Sequence, residues 1–337
     1  MRALVNERVR PAAVPAPAGD EASAFHRQLR GYAPTPVREL TAVAAELGLG
    51  AVLIKDESDR LGLPAFKVLG ASWAVERALR RDPAVTTLVA ASAGNHGRAV
   101  AHVAARRGLA CRVFLPSGSL PARVEAIAAE GAEVVVIDGS YEQAVARAAA
   151  AGAEPGVAEI ADVGQSGPAH WVIDGYATLF AEAAAQAAFD LLVVPVGVGS
   201  LAAAAARFAA QAGCPVIGVE PLAAACLTAS LDAGRPTSIP TPGTTMAGAQ
   251  LRRGVAGRAH VSAVFVDPAH WRTGIAAALL GEAVAAMAEA GFESVQLWTP
   301  AGAPARLFYE ASGWTLTGAT LHMPELNLPL VMYEKTL

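Results

Sequence analysis

The sequence has few cysteines, few lysines and no long hydrophobic run, and each shortage excludes a class of protein. Its three cysteines lie far apart, so the 337 residues show neither a disulfide framework nor a cysteine metal pattern. No basic tract accompanies the net charge of −4, which argues against a nucleic-acid partner. The most apolar stretch, residues 191–206, is interrupted by proline and glycine and is too short to cross a membrane. A charged N-terminus without a signal-peptide core adds to the prediction of a cytoplasmic enzyme.

Only three of the 26 basic residues are lysines: Lys55, Lys67 and Lys335. Lys67 lies within the apolar segment PAFKVLGA, at the start of a predicted helix. An amine can lose its proton and condense with a carbonyl, which a guanidinium cannot do. Because desolvation lowers the pKa of an amine, Lys67 is a candidate nucleophile or Schiff-base partner. The alternative is a lysine that simply extends from the helix into solvent.

Short apolar runs alternate with helical segments between residues 51 and 220. The predicted strands are 51–55, 87–91, 111–115, 134–137, 191–196 and 216–220, and the predicted helices are 97–107, 121–130, 140–151, 173–188 and 201–211. This alternation indicates an α/β fold, a parallel sheet with helices on both faces. A break at 222–260 precedes a second set of predicted strands (261–266, 294–298, 314–321, 328–335) and helices (273–290, 303–312). Two domains are therefore expected, residues 1–245 and 246–337.

Two glycine-containing turns in the first domain each join a predicted strand to a predicted helix. In SAGNHG, residues 92–97, the glycines let the backbone approach a planar ligand, and Asn95 can bond a ring oxygen. In VGVGSL, residues 196–201, backbone N–H groups and the helix dipole form a phosphate site without a cation. Either turn alone also fits an ordinary tight connection. Together with Lys67, and in this order, they are far more specific.

These three features resemble the fold type II pyridoxal-phosphate enzymes, the superfamily of the tryptophan synthase β-subunit and threonine dehydratase. The resemblance covers residues 30–245, and the motifs KDES, PAFKVLGAS, SAGNHG and DGYATL are similar to those of diaminopropionate ammonia-lyases. It implies a tryptophan synthase β-like fold with pyridoxal 5′-phosphate as cofactor. Relatives of this type are commonly dimers, so the resemblance also implies a homodimer.

The resemblance implies a role for each matched residue. Lys67 would hold the cofactor as a Schiff base and then move the α-proton of a small amino-acid substrate. Asn95 would bond the phenolic oxygen, and Asp162 would be a second acid. The phosphate cradle would consist of Gly197, Gly199, Ser200 and Leu201. The implied reaction eliminates a β-amine or hydroxyl and releases a keto acid and ammonia. Ala93 stands where the lyases carry aspartate, so a serine- or threonine-like substrate is an alternative to diaminopropionate.

The second domain carries two further motifs. VDPAHWRTG opens a predicted helix, and ARLFYEASGW precedes a final hairpin. They resemble the C-terminal half of the GNAT-type N-acetyltransferases, which implies acetyl-CoA as a second cofactor. By this resemblance Tyr309 would protonate the leaving thiolate. The residues implied at the coenzyme A pyrophosphate are Arg272, Thr273, Gly274, Ile275 and Ala276.

Both halves lack part of their expected pattern where they meet. Only residues 246–260 precede the coenzyme A motif, and the segment that contacts the pyridine nitrogen in fold type II enzymes is not recognisable after residue 248. The favoured interpretation is an ammonia-lyase with a shortened GNAT-like α/β unit. The alternatives are an N-acetyltransferase with a non-catalytic pyridoxal-type scaffold and an inactive fusion. A shortened sheet exposes apolar edges, so either the two halves cover each other or the protein oligomerises, and the resemblance favours a homodimer.

Overall fold

A computed structural model describes residues 20–164, 167–221, 224–237, 239, 251–253, 258–261, 275–289, 292–323 and 328–337. These residues form two compact units. The described part of Arg2–Val37 and Lys55–Thr244 is the N-terminal unit, and that of Arg38–Ile54 and Thr245–Leu337 is the C-terminal unit. The domain boundary expected near residue 245 stays a prediction. In the structure, Arg38–Ile54 belong to the C-terminal unit, although they precede that boundary in the sequence.

The described residues contain helices and strands in alternating order. The helices are α1 (Glu21–His26), α2 (Thr41–Leu47), α3 (Lys67–Arg81), α4 (Asn95–Arg107), α5 (Pro121–Ala128), α6 (Tyr141–Gly152), α7 (Pro168–Gly175), α8 (Ala177–Gln186), α9 (Ser200–Ala212), α10 (Cys226–Ala233), α11 (Ile275–Glu289) and α12 (Ala305–Ala311). The strands are β1 (Val37–Glu39), β2 (Leu53–Lys55), β3 (Thr87–Ala91), β4 (Ala110–Pro116), β5 (Glu133–Ile137), β6 (Val157–Glu159), β7 (Leu192–Pro195), β8 (Val216–Val219), β9 (Leu251–Arg253), β10 (Arg258–Val261), β11 (Ser294–Pro300), β12 (Thr315–Met323) and β13 (Leu328–Thr336).

A four-stranded parallel sheet organises the N-terminal unit, with the order β5-β4-β3-β6. Alternate residues of β3 pack into two hydrophobic cores, one on each face of the sheet. Leu88 and Ala90 pack with α3 and α4. Val89 and Ala91 pack with α6 on the opposite face. The predicted parallel sheet with helices on both faces is thereby confirmed. The strands β7 and β8 pair in parallel as a separate two-stranded sheet.

Several elements of this unit differ from the sequence-based expectation, among them α10, which lies in the predicted break at 222–260. The helix expected over 173–188 is divided into α7 and α8 at Tyr176, although the apolar pattern continues across the division. The strand β6 was not predicted, because it has only three residues and pairs along one edge of β3. The helix α1 lies before residue 51, where the sequence analysis predicts no helix or strand.

A five-stranded mixed sheet with the order β12-β13-β11-β10-β9 organises the C-terminal unit. The strands β10 and β11 are parallel, and α11 lies between them in the chain. A hairpin of β12 and β13 follows α12. Of the strand expected over 261–266, the structure describes only Val261, the last residue of β10. Among all the described residues, no helix combines the length and apolarity that crossing a bilayer requires.

Candidate active site

Lys67 is the first residue of α3, and its amine is paired with a carboxylate. Lys67 Nζ donates to Asp162 Oδ2 at 2.9 Å, and the two side chains are 19% and 9% exposed. Burial opposes the charge on the amine, but Tyr176 and Asp162 outweigh burial, so the pKa of Lys67 lies above its ordinary value. Desolvation acts on this pKa in the expected direction, but the net shift is upward because of Tyr176 and Asp162, which sequence reasoning did not place beside the amine. The amine must therefore give up its proton within the site before it can attack a carbonyl.

Asp162, which lies three residues after β6, is the centre of the charged cluster. Burial alone would raise its pKa, but His96 and Lys67 hold the pKa of this carboxyl below its usual range. His96 Nδ1 lies 3.9 Å from Asp162 Oδ2 and has no hydrogen-bond partner among the described residues. His96 Nε2 lies 2.7 Å from the carbonyl oxygen of Ile160, so we assign the imidazole proton to Nε2. Burial lowers the pKa of His96, which leaves Nδ1 as an unused acceptor.

Asn95 begins α4 directly after a tight turn, and its side chain is exposed. The turn requires glycine at position 97, because a β-carbon there would lie 2.1 Å from the carbonyl oxygen of Ser92. This close approach brings the start of α4 back against the end of β3. The amide of Asn95 therefore projects from the carboxyl end of a parallel strand, where ligands bind in open α/β sheets.

The turn at residues 196–201 is open on its outer side. Gly199 has φ of +94° and precedes the first residue of α9, with no side chain capping the helix. No atom of the described residues would lie within 4 Å of a β-carbon built on Gly197 or Gly199. The first N–H groups of α9 are thus available to an anion, as at other helix N-termini. Ser200 is buried, and Leu201 is half-buried at the same turn.

Tyr176 lies between the lysine and this turn, and it was not predicted as a site residue. Its ring centroid lies 5.5 Å from Lys67 Nζ. Burial raises the pKa of Tyr176 to about 12, and both Lys67 and Ser200 are near enough to act on it. The structure therefore brings together Lys67, Asp162 and Ser200, which are widely separated in the sequence.

His96 and Tyr141 are two further groups that sequence reasoning missed. His96 is part of the SAGNHG motif, and Tyr176 is likewise part of DGYATL, so both motifs contained a signal that was not used. Tyr141 begins α6, where its hydroxyl lies 3.5 Å from the carbonyl oxygen of Ala91. Burial, assisted by the charge of Asp162, raises the pKa of Tyr141 to about 12. No local pattern marks Tyr141 as part of the site.

The residues predicted to bind coenzyme A belong to the C-terminal unit. Arg272, Thr273 and Gly274 lie outside the described residues, and Ile275 and Ala276 are the first two residues of α11. Tyr309 in α12 is 9% exposed, with its ring centroid 6.2 Å from that of Trp314 and 5.9 Å from that of Tyr333. Burial raises the pKa of Tyr309. Tyr309 is thus part of a hydrophobic core of this unit, and its role as a proton donor stays a prediction.

The residues of the N-terminal unit fit a bound pyridoxal phosphate. The turn at 196–201 offers backbone donors beneath open space for a phosphate, and Lys67 offers a partly accessible amine. One buried polar atom nearby, His96 Nδ1, has no hydrogen-bond partner among the described residues. Buried polar groups are seldom left unpaired, so this atom favours a polar group close to the site.

Comparison with known proteins decides the family. A family model described as pyridoxal-phosphate dependent enzyme matches residues 29–305. The chain belongs to this family. The match begins before Lys67, includes both glycine turns, and continues past the expected domain boundary as far as the first residue of α12.

Within this family, the chain is similar to diaminopropionate ammonia-lyases. It is 36% identical over 254 residues to the enzyme of Salmonella typhimurium, which covers 65% of this chain and 63% of that protein. The selenomethionine holo structure of the Escherichia coli enzyme superposes with a TM-score of 0.61 at 30% identity, covering 65% of this chain and 63% of that one. The biosynthetic L-threonine dehydratase of Escherichia coli is 32% identical over 222 residues, 65% of this chain and 42% of that protein. The chain thus spans less than two thirds of the length of these relatives.

Proposed function

We propose that this pyridoxal-phosphate-dependent enzyme is an ammonia-lyase that acts on a small amino acid with an amine or hydroxyl on its β-carbon. The observation that carries the proposal is the buried pair of Lys67 and Asp162, 2.9 Å apart. Tyr176 links this pair to the open phosphate turn before α9. Similarity to diaminopropionate ammonia-lyases supports the same reaction class.

The chain's own residues supply acid–base chemistry and orientation. When bound, pyridoxal phosphate supplies the electron sink that makes the α-proton of an amino acid acidic. Lys67 can accept this proton at Nζ and hand a proton to the group that leaves the β-carbon. Asp162 stabilises the charged amine between these transfers, since its carboxylate is ionised and in contact with Nζ. Water then hydrolyses the released enamine to a keto acid and ammonia.

Diaminopropionate is the substrate that the relatives favour, and serine and threonine are the alternatives. Ala93 follows Ser92 in the turn before Asn95, where the resemblance to the lyases implies an aspartate. An alanine at this position provides no acid or base. We therefore assign Asp162, together with Lys67, to the reaction. We assign Asn95 to cofactor binding, and with it the turn formed by Gly197, Gly199, Ser200 and Leu201.

The first experiment adds pyridoxal phosphate to the purified full chain and records its visible absorption. Borohydride reduction and peptide mass mapping then locate the modified amine. We expect the reduced adduct on Lys67. Lys67→Arg keeps a cation beside Asp162 but cannot form the bond, so this variant should lose the band. Lys335→Arg is the matched control and should retain it.

Release of ammonia and keto acid from diaminopropionate, serine and threonine tests the activity itself. Turnover of at least one of these substrates by the wild type, absent in Lys67→Arg, is the expected result. An adduct on Lys55 in place of Lys67 would contradict the assignment. A correct adduct without any turnover would restrict the function to cofactor binding.

An N-acetyltransferase is the second candidate function, with acetyl-CoA as its cofactor. It is supported by the order of elements in the C-terminal unit, where α11 follows β10 and the β12–β13 hairpin follows α12. Titration of coenzyme A into the full chain tests it, with Gly274→Glu placing a carboxylate against the expected pyrophosphate. Binding that this substitution leaves unchanged would exclude the proposed coenzyme A site. Absence of both cofactors would leave the inactive fusion as the best interpretation.

A homodimer and a cytoplasmic location also belong to the proposal. The two-stranded sheet supports an interface, because its cross-strand neighbours Val193 and Ile217 are 56% and 49% exposed. Apolar residues exposed side by side are typical of surfaces that another chain covers. Sedimentation equilibrium of the full chain should give twice the chain mass, and a monomer at all concentrations would contradict this.

A further inference from the structure

A cavity of about 190 Å³ lies between α1, α3 and α4 of the N-terminal unit. An apolar cavity of about 150 Å³ can hold a benzene molecule, whereas drug-sized ligands occupy about 300–1,000 Å³. The described residues that line this cavity do not include Lys67, Asn95, Asp162 or any residue of the 196–201 turn. The cavity therefore has room for one small molecule in addition to the cofactor.

One part of the cavity wall is apolar. Val68 of α3 and Val103 of α4 are buried there, and Phe25 and Leu29 are half-buried in the same wall. An apolar ligand gains free energy when it covers such side chains, because its own surface is removed from water. This wall therefore favours a ligand with an apolar body, such as a single ring or a short alkyl chain.

Leu61 completes this wall in spite of an unfavourable backbone conformation. Its φ is +55°, the only positive value that the described residues show outside glycine. Leu61 and Gly62 are the central residues of a turn that Arg60 and Leu63 close with backbone hydrogen bonds of 2.8 and 3.0 Å. Such turns favour asparagine or glycine and disfavour leucine. The side chain packs against the core and lines the cavity, so the wall, and not the turn, accounts for a leucine here.

Three arginines line the same cavity. Arg30 follows α1, and Arg106 and Arg107 are the last two residues of α4. Arg107 pairs with Glu76, and Arg106 donates to the carbonyl oxygen of Arg30 at 2.6 Å. Neither Arg30 nor Arg106 pairs with a carboxylate in the part of the chain that the structure describes. Two guanidinium groups are thus available to an anion from outside the chain.

The acidic side chains close to the cavity are already paired with cations. Glu130 lies 2.8 Å from His102 Nδ1 and 2.8 Å from Arg98 Nη2. Glu76 lies 2.9 Å from Arg80 Nε, in addition to the pair named above. No acidic residue is among the described residues that line the cavity. A concave site lined by charge of one sign attracts ligands of the opposite sign.

We propose that this cavity binds a small organic anion, with its oxyanion at Arg30 and Arg106 and its apolar body against Val68 and Val103. Guanidinium groups match the oxygens of carboxylates and of phosphates, so the head group is a carboxylate or a phosphate monoester. The site is independent of the lyase activity proposed above, because it shares no lining residue with the cofactor site. The two proposals can therefore succeed or fail separately.

Isothermal titration calorimetry of the full chain, dialysed free of unbound cofactor, tests the proposal. The probes are benzoate and phenyl phosphate, with benzamide as the uncharged analogue and acetate as the anion without a ring. We expect one or both of the aromatic anions to bind at least tenfold more tightly than benzamide and acetate. The affinity should fall as the salt concentration rises, because the cations are exposed. The tighter of the two aromatic anions identifies the head group.

Arg30→Gln locates the binding, because it removes the charge from a side chain on which the described fold does not depend. Its melting temperature should equal that of the wild type, and its affinity for the tighter anion should be about tenfold lower or less, as for loss of a hydrogen bond to a charged group. Arg147→Gln is the matched control: this exposed arginine lies on α6, on the opposite face of the sheet, and its substitution should leave the affinity unchanged. Binding of neither anion, benzamide binding as tightly as benzoate, or equal affinities in Arg30→Gln and Arg147→Gln would overturn the proposal.

Discussion

Gly70 and Gly175 meet where α3 packs against α7. A β-carbon on Gly175 would lie 2.8 Å from Gly70 Cα and 2.6 Å from the carbonyl oxygen of Leu69, too close for any other residue without movement of the backbone. Lys67 lies one turn before Gly70, and Tyr176 follows Gly175 directly. The two glycines therefore determine how near the amine and the hydroxyl can come.

Gly175→Ala should destabilise the protein and weaken its hold on the cofactor. The added methyl group forces α3 and α7 apart, at a cost of about 1–3 kcal/mol in the free energy of unfolding, as in other overpacked sites. Urea denaturation measures this cost. Gly281→Ala is the control: it lies within α11, no atom of the described part of the chain is within 4 Å of the added carbon, and it should stabilise by about 0.5–1 kcal/mol. Equal effects of the two substitutions would contradict the packing argument.

Asp162→Asn should lower the pKa of Lys67, because the substitution removes a charge that raises it while burial remains. The rate at which pyridoxal phosphate reacts with the amine depends on pH, and the midpoint of this dependence should therefore move to lower pH. Turnover should decrease by about 10²-fold or more, as for other lost acid–base groups. Stopped-flow absorption across a pH series measures the first effect, and ammonia release measures the second. Asp190→Asn, at an exposed position of the same unit, should change neither.

His26 should make the protein less stable as the pH falls below neutrality. Its Nε2 donates to the carbonyl oxygen of Leu69 at 3.0 Å, its Nδ1 accepts from Thr178 at 2.7 Å, and burial lowers its pKa from 6.5 to about 4. The unfolded chain takes up this proton near pH 6.5, whereas the folded chain resists until about pH 4. The free energy of unfolding should therefore fall through this interval, by up to about 3 kcal/mol. His96, whose pKa is also lowered, acts in the same direction.

Urea denaturation at a series of pH values between 4.5 and 7 measures this loss. His26→Gln should flatten the dependence, even though it lowers stability at pH 7 by removing a hydrogen bond. His322→Gln, at an exposed position, should leave the slope as in the wild type. An unchanged slope in His26→Gln would show that other groups carry the acid sensitivity.

Glu182→Ala should be strongly destabilising, because this carboxylate pairs with two buried cations. Its oxygens lie 2.8 Å from Lys55 Nζ and 2.7 Å from Arg60 Nη2, and Arg60 is only 1% exposed. Removing one partner of a buried pair costs about 3–5 kcal/mol, since a charge is left without compensation. Guanidinium denaturation measures the change. Glu133→Gln, an exposed substitution in β5, should leave stability near that of the wild type.

The same pairing gives Lys55 a structural role. Its amine donates to Glu182 and to the carbonyl oxygen of Thr35, so it is held by residues 20 and 127 positions away in the chain. Sequence reasoning distinguished Lys55 from Lys67 only by motif. The structure distinguishes them by surroundings: Lys55 is held by Glu182 and the carbonyl oxygen of Thr35, whereas Lys67 pairs with Asp162 beside the ring of Tyr176.

Much of the fold and part of the site followed from sequence because the relevant pattern is local. The alternation of apolar runs and helices predicted the parallel sheet, since each strand and helix carries its own periodicity. The two glycine turns and Lys67 were found in the same way, each from fewer than ten consecutive residues. Local reasoning failed in two places. It missed the strand β6, which is short, and it missed the division between α7 and α8 at Tyr176, where the apolar pattern is continuous.

By itself, then, the sequence determined the class of fold, the amine and the two turns, because these depend on neighbours in the chain. Only the tertiary structure decided what surrounds them. Asp162 meets Lys67 although the two residues lie 95 positions apart in the sequence, and Tyr176 and Asp162 together reverse the pKa shift that burial alone would produce. The position of the Tyr176 ring beside Lys67 likewise becomes visible only once α3 and α7 are packed. Packing sets distances between residues remote in the chain, and electrostatic interaction depends on those distances.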